Sequence, residues 1–143
     1  MSVVITQNVP APQVDIESRP YWDALREHRI SVQRCTTCGR LRFPPMPGCP
    51  YCGARGFERV DVSGEGRVYS FVRVHRALTP AMEGEVPYVV AVVQLDGGGP
   101  RIIGRVDGDL AAVAIDDAVV PRFVDHDTWT ELRFTRAVGA QKP

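Results

Sequence analysis

The chain has 143 residues, enough for one domain or two small ones. Hydrophobic residues make up 44% and charged residues 24%, which excludes a disordered chain and provides for a packed core. The formal net charge is zero, so the overall basicity of most nucleic-acid binders is missing, although a local basic patch is still possible.

The chain opens with "MSVVITQNVPAPQVD", which has neither a basic n-region nor an apolar h-region. No segment approaches the roughly 20 apolar residues that a spanning helix needs. The expected location is therefore the cytoplasm. Residues 1–18, with Pro10 and Pro12 and no helical period, read as an extended arm, either loose or packed on the body or on a partner.

"RPYWDALREHR" follows and reads as a short helix within 19–30. Pro20 suits its first turn, and Tyr21, Trp22 and Leu25 share a face as core or interface anchors. His28 would close this helix.

"RISVQRC" then leads as a strand into "CTTCGRLRFPPMPGCPYCG", which holds all four cysteines of the chain. In each Cys-x-x-Cys pair one tight turn can aim two sulfurs at a single metal ion. Gly39 and Gly53 follow the pairs and accept the positive φ that ends such a turn. Pro44, Pro45 and Pro47 stiffen the connection between the pairs. In a reducing compartment this pattern points to metal rather than to disulfides.

The expected ligands are Cys35, Cys38, Cys49 and Cys52, on two knuckles of a zinc ribbon over 31–58. "CTTCG" and "CPYCG" also resemble the halves of rubredoxin's iron site, although rubredoxin separates them by a much longer stretch. Zinc is favoured over iron. Four thiolates close the coordination sphere, which makes the ion structural, since catalytic zinc keeps a position open.

Six arginines lie between Arg29 and Arg59, opposed within that window by Glu58 alone, and 16 of the 17 basic residues of the chain are arginine. Arginine grips phosphate bidentately and stacks on flat rings. Arg40 and Arg42, with the stiff "FPPMP" connection on a rigid knuckle, are the first candidates for a phosphate-bearing ligand. The alternative is a solvated face that balances the thiolate charge.

Short segments rich in Val, Ile, Phe and Tyr fill the remainder: "GFERVDV", "GRVYSFVRVH", "YVVAVVQLD", "RIIGRVDG", "VVPRFVD" and "WTELRFTRA". About five strands over 59–138, followed by a tail at 139–143, suggest a closed antiparallel barrel. A five-stranded OB-fold leads, with an SH3-like barrel or a small sandwich giving a similar pattern. Arg73 and His75, at the end of an alternating strand, are further ligand candidates.

His126 sits between Asp125 and Asp127, and Asp116 and Asp117 are adjacent. Neither pair forms a catalytic set with a nucleophile, and the sequence contains no P-loop, no Gly-x-Ser-x-Gly and no His-Glu-x-x-His. A binding or accessory protein is the expectation.

The order of these features resembles a family of small bacterial and archaeal proteins that join a rubredoxin-like zinc ribbon to an OB-fold. The resemblance rests on "YWDALREHRI", the two Cys-x-x-Cys-Gly knuckles with Pro-Pro between them, and the "GEGRVYS" strand. It implies a mainly β protein that acts as a non-catalytic, acyl-CoA-associated partner of thiolase-like enzymes; the apolar "YVVAVVQL" and the N-terminal arm could serve a homodimer or a hetero-oligomer equally well. The four cysteines carry over as metal ligands. A departure occurs in "AIDDAVV", where relatives often have Gly and this chain has Asp116 or Asp117. The alternative function is a single-stranded nucleic-acid-binding module, a role that OB-folds and zinc ribbons also serve.

Overall fold

The computed structural model describes residues 2–4 and 9–137. In chain order the elements are β1 (Ser2–Val4), α1 (Arg19–Arg26), β2 (Ile30–Cys35), β3 (Leu41–Arg42), β4 (Phe57–Val62), β5 (Gly66–Val74), β6 (Tyr88–Leu95), β7 (Arg101–Asp107), β8 (Ala118–Asp125) and β9 (Thr130–Arg136). Two short 3-10 turns, Pro80–Met82 and Leu110–Ala112, precede β6 and β8. The protein is mainly β, with one short helix, a ribbon and an OB-fold, as the sequence suggested.

Strands β3, β2 and β4 form the ribbon sheet, with β2 antiparallel to both neighbours. β4 pairs along the whole of β2, from Cys35↔Phe57 to Ile30↔Val62. The ribbon sheet therefore runs past residue 58 to Val62, and the first barrel strand begins at Gly66.

The barrel follows the order β5-β6-β7-β9-β8 and closes where β8 returns to β5 at Gly66↔Val119. Only the β7–β9 contact is parallel among these five strands. β1 adds a parallel edge on β8, so part of the N-terminal arm packs on the body.

β6 explains the packing. Its burial alternates strictly, with Val89, Ala91, Val93 and Leu95 pointing inward, as a period-two strand requires. These residues meet Val68, Ile102, Val106, Val119, Leu132 and Phe134 in one core. Tyr21 and Leu25 of α1 and Ile30 and Val32 of β2 belong to the same core, so helix, ribbon and barrel are packed as one unit. Each fully buried aliphatic side chain contributes about 1.5–3 kcal/mol.

The "GEGRVYS" motif has a steric cause. Gly64 takes φ +81°, and a Cβ there would run into Ile30 and Pro121. At Gly66 a Cβ would collide with the backbone carbonyl oxygen of Gln94. These glycines let the chain pass from ribbon to barrel with two backbones in direct contact.

α1 is shorter than expected and ends at Arg26. Glu27 and His28 donate back to Ala24 and Leu25, and His28 then turns left-handed at φ +58°. Arg26 clasps the β8–β9 turn, donating to the carbonyls of His126 (3.0 Å), Trp129 (3.2 Å) and Asp127 (3.1 Å). His28 packs flat on Phe123 and bonds Asp125 at 3.0 Å.

Candidate metal centre and its surroundings

The two knuckles repeat one geometry. Gly39 N–H donates to the Cys35 carbonyl and Gly53 N–H to the Cys49 carbonyl, both at 2.9 Å, with φ of +77° and +79°. Each turn thus ends on the glycine that the sequence placed there. The turns bring Cys35 Sγ to 3.6 Å from Cys52 Sγ, and Cys38 Sγ to 3.6 Å from Cys49 Sγ. All four sulfurs lie within 4.8 Å of one another. A tetrahedron with metal–sulfur bonds of roughly 2.3 Å has edges of roughly 3.8 Å, so the cluster has the size of a four-thiolate metal site.

Cys35 and Cys49 are buried and Cys38 and Cys52 exposed. The N–H groups of Cys38 and Thr37 point at Cys35 Sγ from 3.5 and 3.4 Å and draw its thiol down to about 6, favouring the thiolate a metal requires. The four predicted ligands are therefore together as a metal-binding set. Their donor chemistry suits zinc or iron, and no fifth donor among the described residues joins the group.

Part of the arginine surplus around the ribbon is paired. Arg34 bonds Glu58, and Arg29 bridges Asp61 (2.9 Å) and Glu27 (2.7 Å), both just outside the window counted from sequence. Arg40 remains exposed and lies over the Tyr51 ring at 4.7 Å. Both line a cleft of about 690 Å³ between the ribbon and the β6–β7 turn, with Arg34 on its wall and Gly97–Gly99 at its lip.

Arg42 corrects the sequence reading. It is 2% exposed and does not stand on the surface. Its Nε donates to Gln33 Oε1 at 2.8 Å and its Nη2 to the Met46 carbonyl at 3.2 Å, while the guanidinium lies over the Phe57 ring at 5.1 Å. Gln33 Oε1 also accepts the Met46 N–H at 3.0 Å. The reason is the cross-strand register: Gln33 and Arg42 face each other, and the proline-rich connection folds back over them. Arg42 fastens that connection to β2.

Arg73 and His75 lie elsewhere. The Arg73 guanidinium donates to the carbonyls of Leu110 (3.0 Å), Ala111 (3.3 Å) and Val113 (2.9 Å), holding the 3-10 turn between β7 and β8. With His75, Pro87 and Tyr88 it lines a mostly apolar cavity of about 340 Å³. The four candidate ligand residues are thus divided between the ribbon and the barrel.

A charged cluster on β7, β8 and β9 escaped the sequence reading. Asp107 pairs with Arg122 and Arg133, and Glu131 pairs with Arg133 (3.0 Å) and His126 (3.0 Å). Burial pushes the Glu131 carboxyl up, but the hydrogen bonds from Arg133 and His126 outweigh it and hold it below its ordinary value. The carboxylate partner of His126 is therefore Glu131 and not its flanking aspartates, since Asp125 is engaged by His28 and Thr130. His126 is buried and stacked on Trp129 at 4.5 Å. The alternation Glu131-x-Arg133 on one strand face was the available signal, but which residues it meets depends on barrel closure.

The adjacent acids also separate. Asp116 is in the left-handed region at φ +69°, at the departure noted in the sequence. Asp117 is buried, accepts the Ala114 N–H at 2.9 Å and pairs with Arg136 at 3.0 Å.

Comparison with known proteins agrees with this architecture. Residues 22–58 match the family model "ChsH2, rubredoxin-like zinc ribbon domain", and residues 59–124 match "ChsH2, C-terminal OB-fold domain". A DUF35 domain-containing scaffold protein of Methanothermobacter thermautotrophicus is 32% identical over 95 residues, covering 66% of this chain and 71% of that protein. A benzoylsuccinyl-CoA thiolase subunit BbsA of Geobacter metallireducens is 31% identical over 87 residues, 60% of this chain and 56% of that one. A probable enoyl-CoA hydratase alpha subunit of Thermomonospora curvata is 39% identical over 89 residues, 62% of this chain, and the match spans 27% of its length.

Among solved structures, a chain of the Ltp2-ChsH2(DUF35) aldolase superposes with a TM-score of 0.78 at 33% identity, covering 88% of this chain and 98% of that chain. No helix among the described residues is long and apolar enough to cross a membrane. This chain belongs to the DUF35 family, in which a rubredoxin-like zinc ribbon is joined to an OB-fold.

Proposed function

We propose that this chain is a non-catalytic accessory subunit that binds acyl-CoA and associates with a thiolase-like enzyme in acyl-CoA, lipid or steroid metabolism, in the cytoplasm. One observation carries this reading: the similarity to the Ltp2-ChsH2(DUF35) aldolase chain extends over the entire ribbon-plus-barrel unit rather than over the metal site alone. The thiolase-subunit and scaffold relatives point the same way.

The four cysteines hold zinc, which binds as a closed structural ion and contributes to folding rather than to chemistry. Iron at the same sulfurs would give a red protein, and metal analysis of the purified chain separates the two.

The cleft beside the ribbon suits the phosphate-bearing end of CoA. Arg40 and Arg34 are on its wall with Tyr51. The ligand role first given to Arg42 passes to these exposed arginines. The apolar cavity at Arg73 and His75 fits an acyl or pantetheine segment better than a phosphate, since the Arg73 guanidinium is already occupied by carbonyls.

The test is co-expression with a thiolase-like subunit from the same genome, followed by size-exclusion chromatography and calorimetry with CoA. A stable complex with micromolar CoA binding and little turnover by the isolated chain is expected. A chain that forms no complex and binds no CoA overturns the reading.

A further inference from the structure

The centre of the outer face of β5–β6–β7 is apolar. In an antiparallel sheet with one solvated side, outward positions are polar. Here β6 reads "YVVAVVQL": Val89, Ala91 and Val93 fill the barrel, while Val90 and Val92 face outward. The register sets Val72 opposite Val90 and Val92 opposite Ile103, in adjoining rows. Ile103 is 66% exposed, Val72 59% and Tyr69 52%, so these side chains form one apolar strip across three strands.

The strip leads into an aromatic hollow. Val90 and Ile103 also line a cavity of about 220 Å³ whose far wall is Trp22 of α1 and Trp129 of the β8–β9 turn. The two indoles meet edge to face at 6.0 Å, and Arg26 locks the turn that bears Trp129. The hollow has room for one large apolar side chain. Its carboxylate, Glu131, is already bonded to Arg133 and His126.

The charge at the edge of the strip selects the occupant. Arg101 and Arg105 on β7 and Arg67 on β5 flank it, and the outward carboxylate of this sheet, Asp107, is tied to Arg122 and Arg133. Glu85 is held by Arg105. Two copies packed through this face would set arginine against arginine, which disfavours self-association.

Single-stranded nucleic acid is disfavoured too. Arg101 (3.8 Å) and Arg105 (4.9 Å) already lie over the Tyr69 and Tyr88 rings, and the strip beside them is valine and isoleucine, which give bases no stacking platform. An apolar centre with aromatics and arginine but no lysine is the composition of a protein–protein hot spot.

We infer that the outer face of β5–β6–β7, ending in the Trp22–Trp129 hollow, is the docking surface for a partner protein that sets an apolar side chain into the hollow, against the paired indoles, and sets carboxylates against Arg101. This rests on the proposed accessory role and adds the surface and the chemistry of the contact.

The experiment compares Ile103→Glu, Val72→Glu and Arg101→Glu with Arg55→Glu on the exposed ribbon, each co-expressed with a thiolase-like subunit from the same genome. Unchanged circular dichroism and metal content establish that each variant folds. Ile103→Glu or Val72→Glu should weaken the complex at least about 30-fold. Arg101→Glu should weaken it and lessen its salt dependence, and Arg55→Glu should leave it intact. Failure of the wild-type chain to form any complex overturns the accessory reading and this inference together. A complex that survives Ile103→Glu with Val72→Glu overturns this surface alone. A wild-type homodimer that Ile103→Glu dissociates assigns the face to a second copy, and single-stranded oligonucleotide binding lost in the same variant assigns it to nucleic acid; either result overturns the inferred partner.

Discussion

Replacement of Arg42 by alanine should destabilise the ribbon rather than remove a ligand. The side chain is 2% exposed, so its guanidinium works inside the protein. Alanine there removes the bonds to Gln33 Oε1 and to the Met46 carbonyl, each worth about 1.5–3 kcal/mol when the donor is charged. It also removes the contact with the Phe57 ring, about 0.5–2 kcal/mol, and leaves a gap under the proline-rich connection. The terms are not additive, because Gln33 keeps the Met46 N–H and can turn toward water once the gap opens. A loss of about 3–5 kcal/mol is expected, which for a domain of this size lowers the melting temperature by roughly 10–17 °C.

The assay is thermal and urea unfolding of the metal-loaded protein, with the metal measured before and after. Arg42→Met, which keeps the buried stem, should recover part of the loss, whereas Arg40→Ala should unfold like wild type. If Arg42→Ala unfolds within 1 kcal/mol of wild type and instead loses anion binding, the guanidinium faces a ligand and the structural account of it is wrong.

Metal removal should act on the whole unit, since the ribbon shares its core with the barrel. A strong chelator or Cys35→Ser should abolish one metal per chain and also lower the barrel's melting temperature, read by near-ultraviolet circular dichroism; an unchanged barrel transition would show that the two parts are uncoupled. Asp116→Gly should be neutral or stabilising by up to about 1 kcal/mol, because φ +69° strains an L side chain and the Asp116 N–H bond to Val68 survives; a clear loss in urea unfolding would mean that the carboxylate itself is used.

Stability should also fall in acid through Glu131. Its folded carboxyl titrates below its ordinary value of 4.5, so the unfolded chain takes up the proton first. The contribution is complete above that unfolded value and is lost as pH falls through the folded one. Glu131→Gln should flatten the pH dependence of the melting temperature below about pH 5, and an unaltered slope would contradict the pairing with Arg133 and His126.

The parts of the protein legible in sequence are those governed by local geometry. The knuckles were readable because Cys-x-x-Cys-Gly sets ligand spacing and backbone sign within five residues, and Gly39 and Gly53 adopt the φ this demands. The helix was readable up to its end, where the left-handed turn at His28, a residue with no glycine signal, stops it. The departure from the family pattern lay at Asp116 or Asp117, and the structure shows that Asp116 holds a position whose φ suits glycine.

Arg42 was misread because a charge count along the chain carries no information about burial. Arginine is assigned to the surface by default, and only the Gln33↔Arg42 register reveals the acceptors that let it go inside. The same blindness inflated the positive charge of the ribbon. Arg29 finds Asp61 and Glu27, which lie outside the counted window yet are brought beside it by the β2–β4 pairing and the end of α1.

β6 was ambiguous in a different way. "YVVAVVQL" satisfies a period of two and a continuous apolar run at once, so sequence could identify a strand but could not decide whether its second face is covered. Barrel closure decides which valines go inside. What remains outside, Val90 and Val92 between Val72 and Ile103, is apolar surface that the isolated chain leaves open, and its exposure costs nothing in folding but favours burial against another protein.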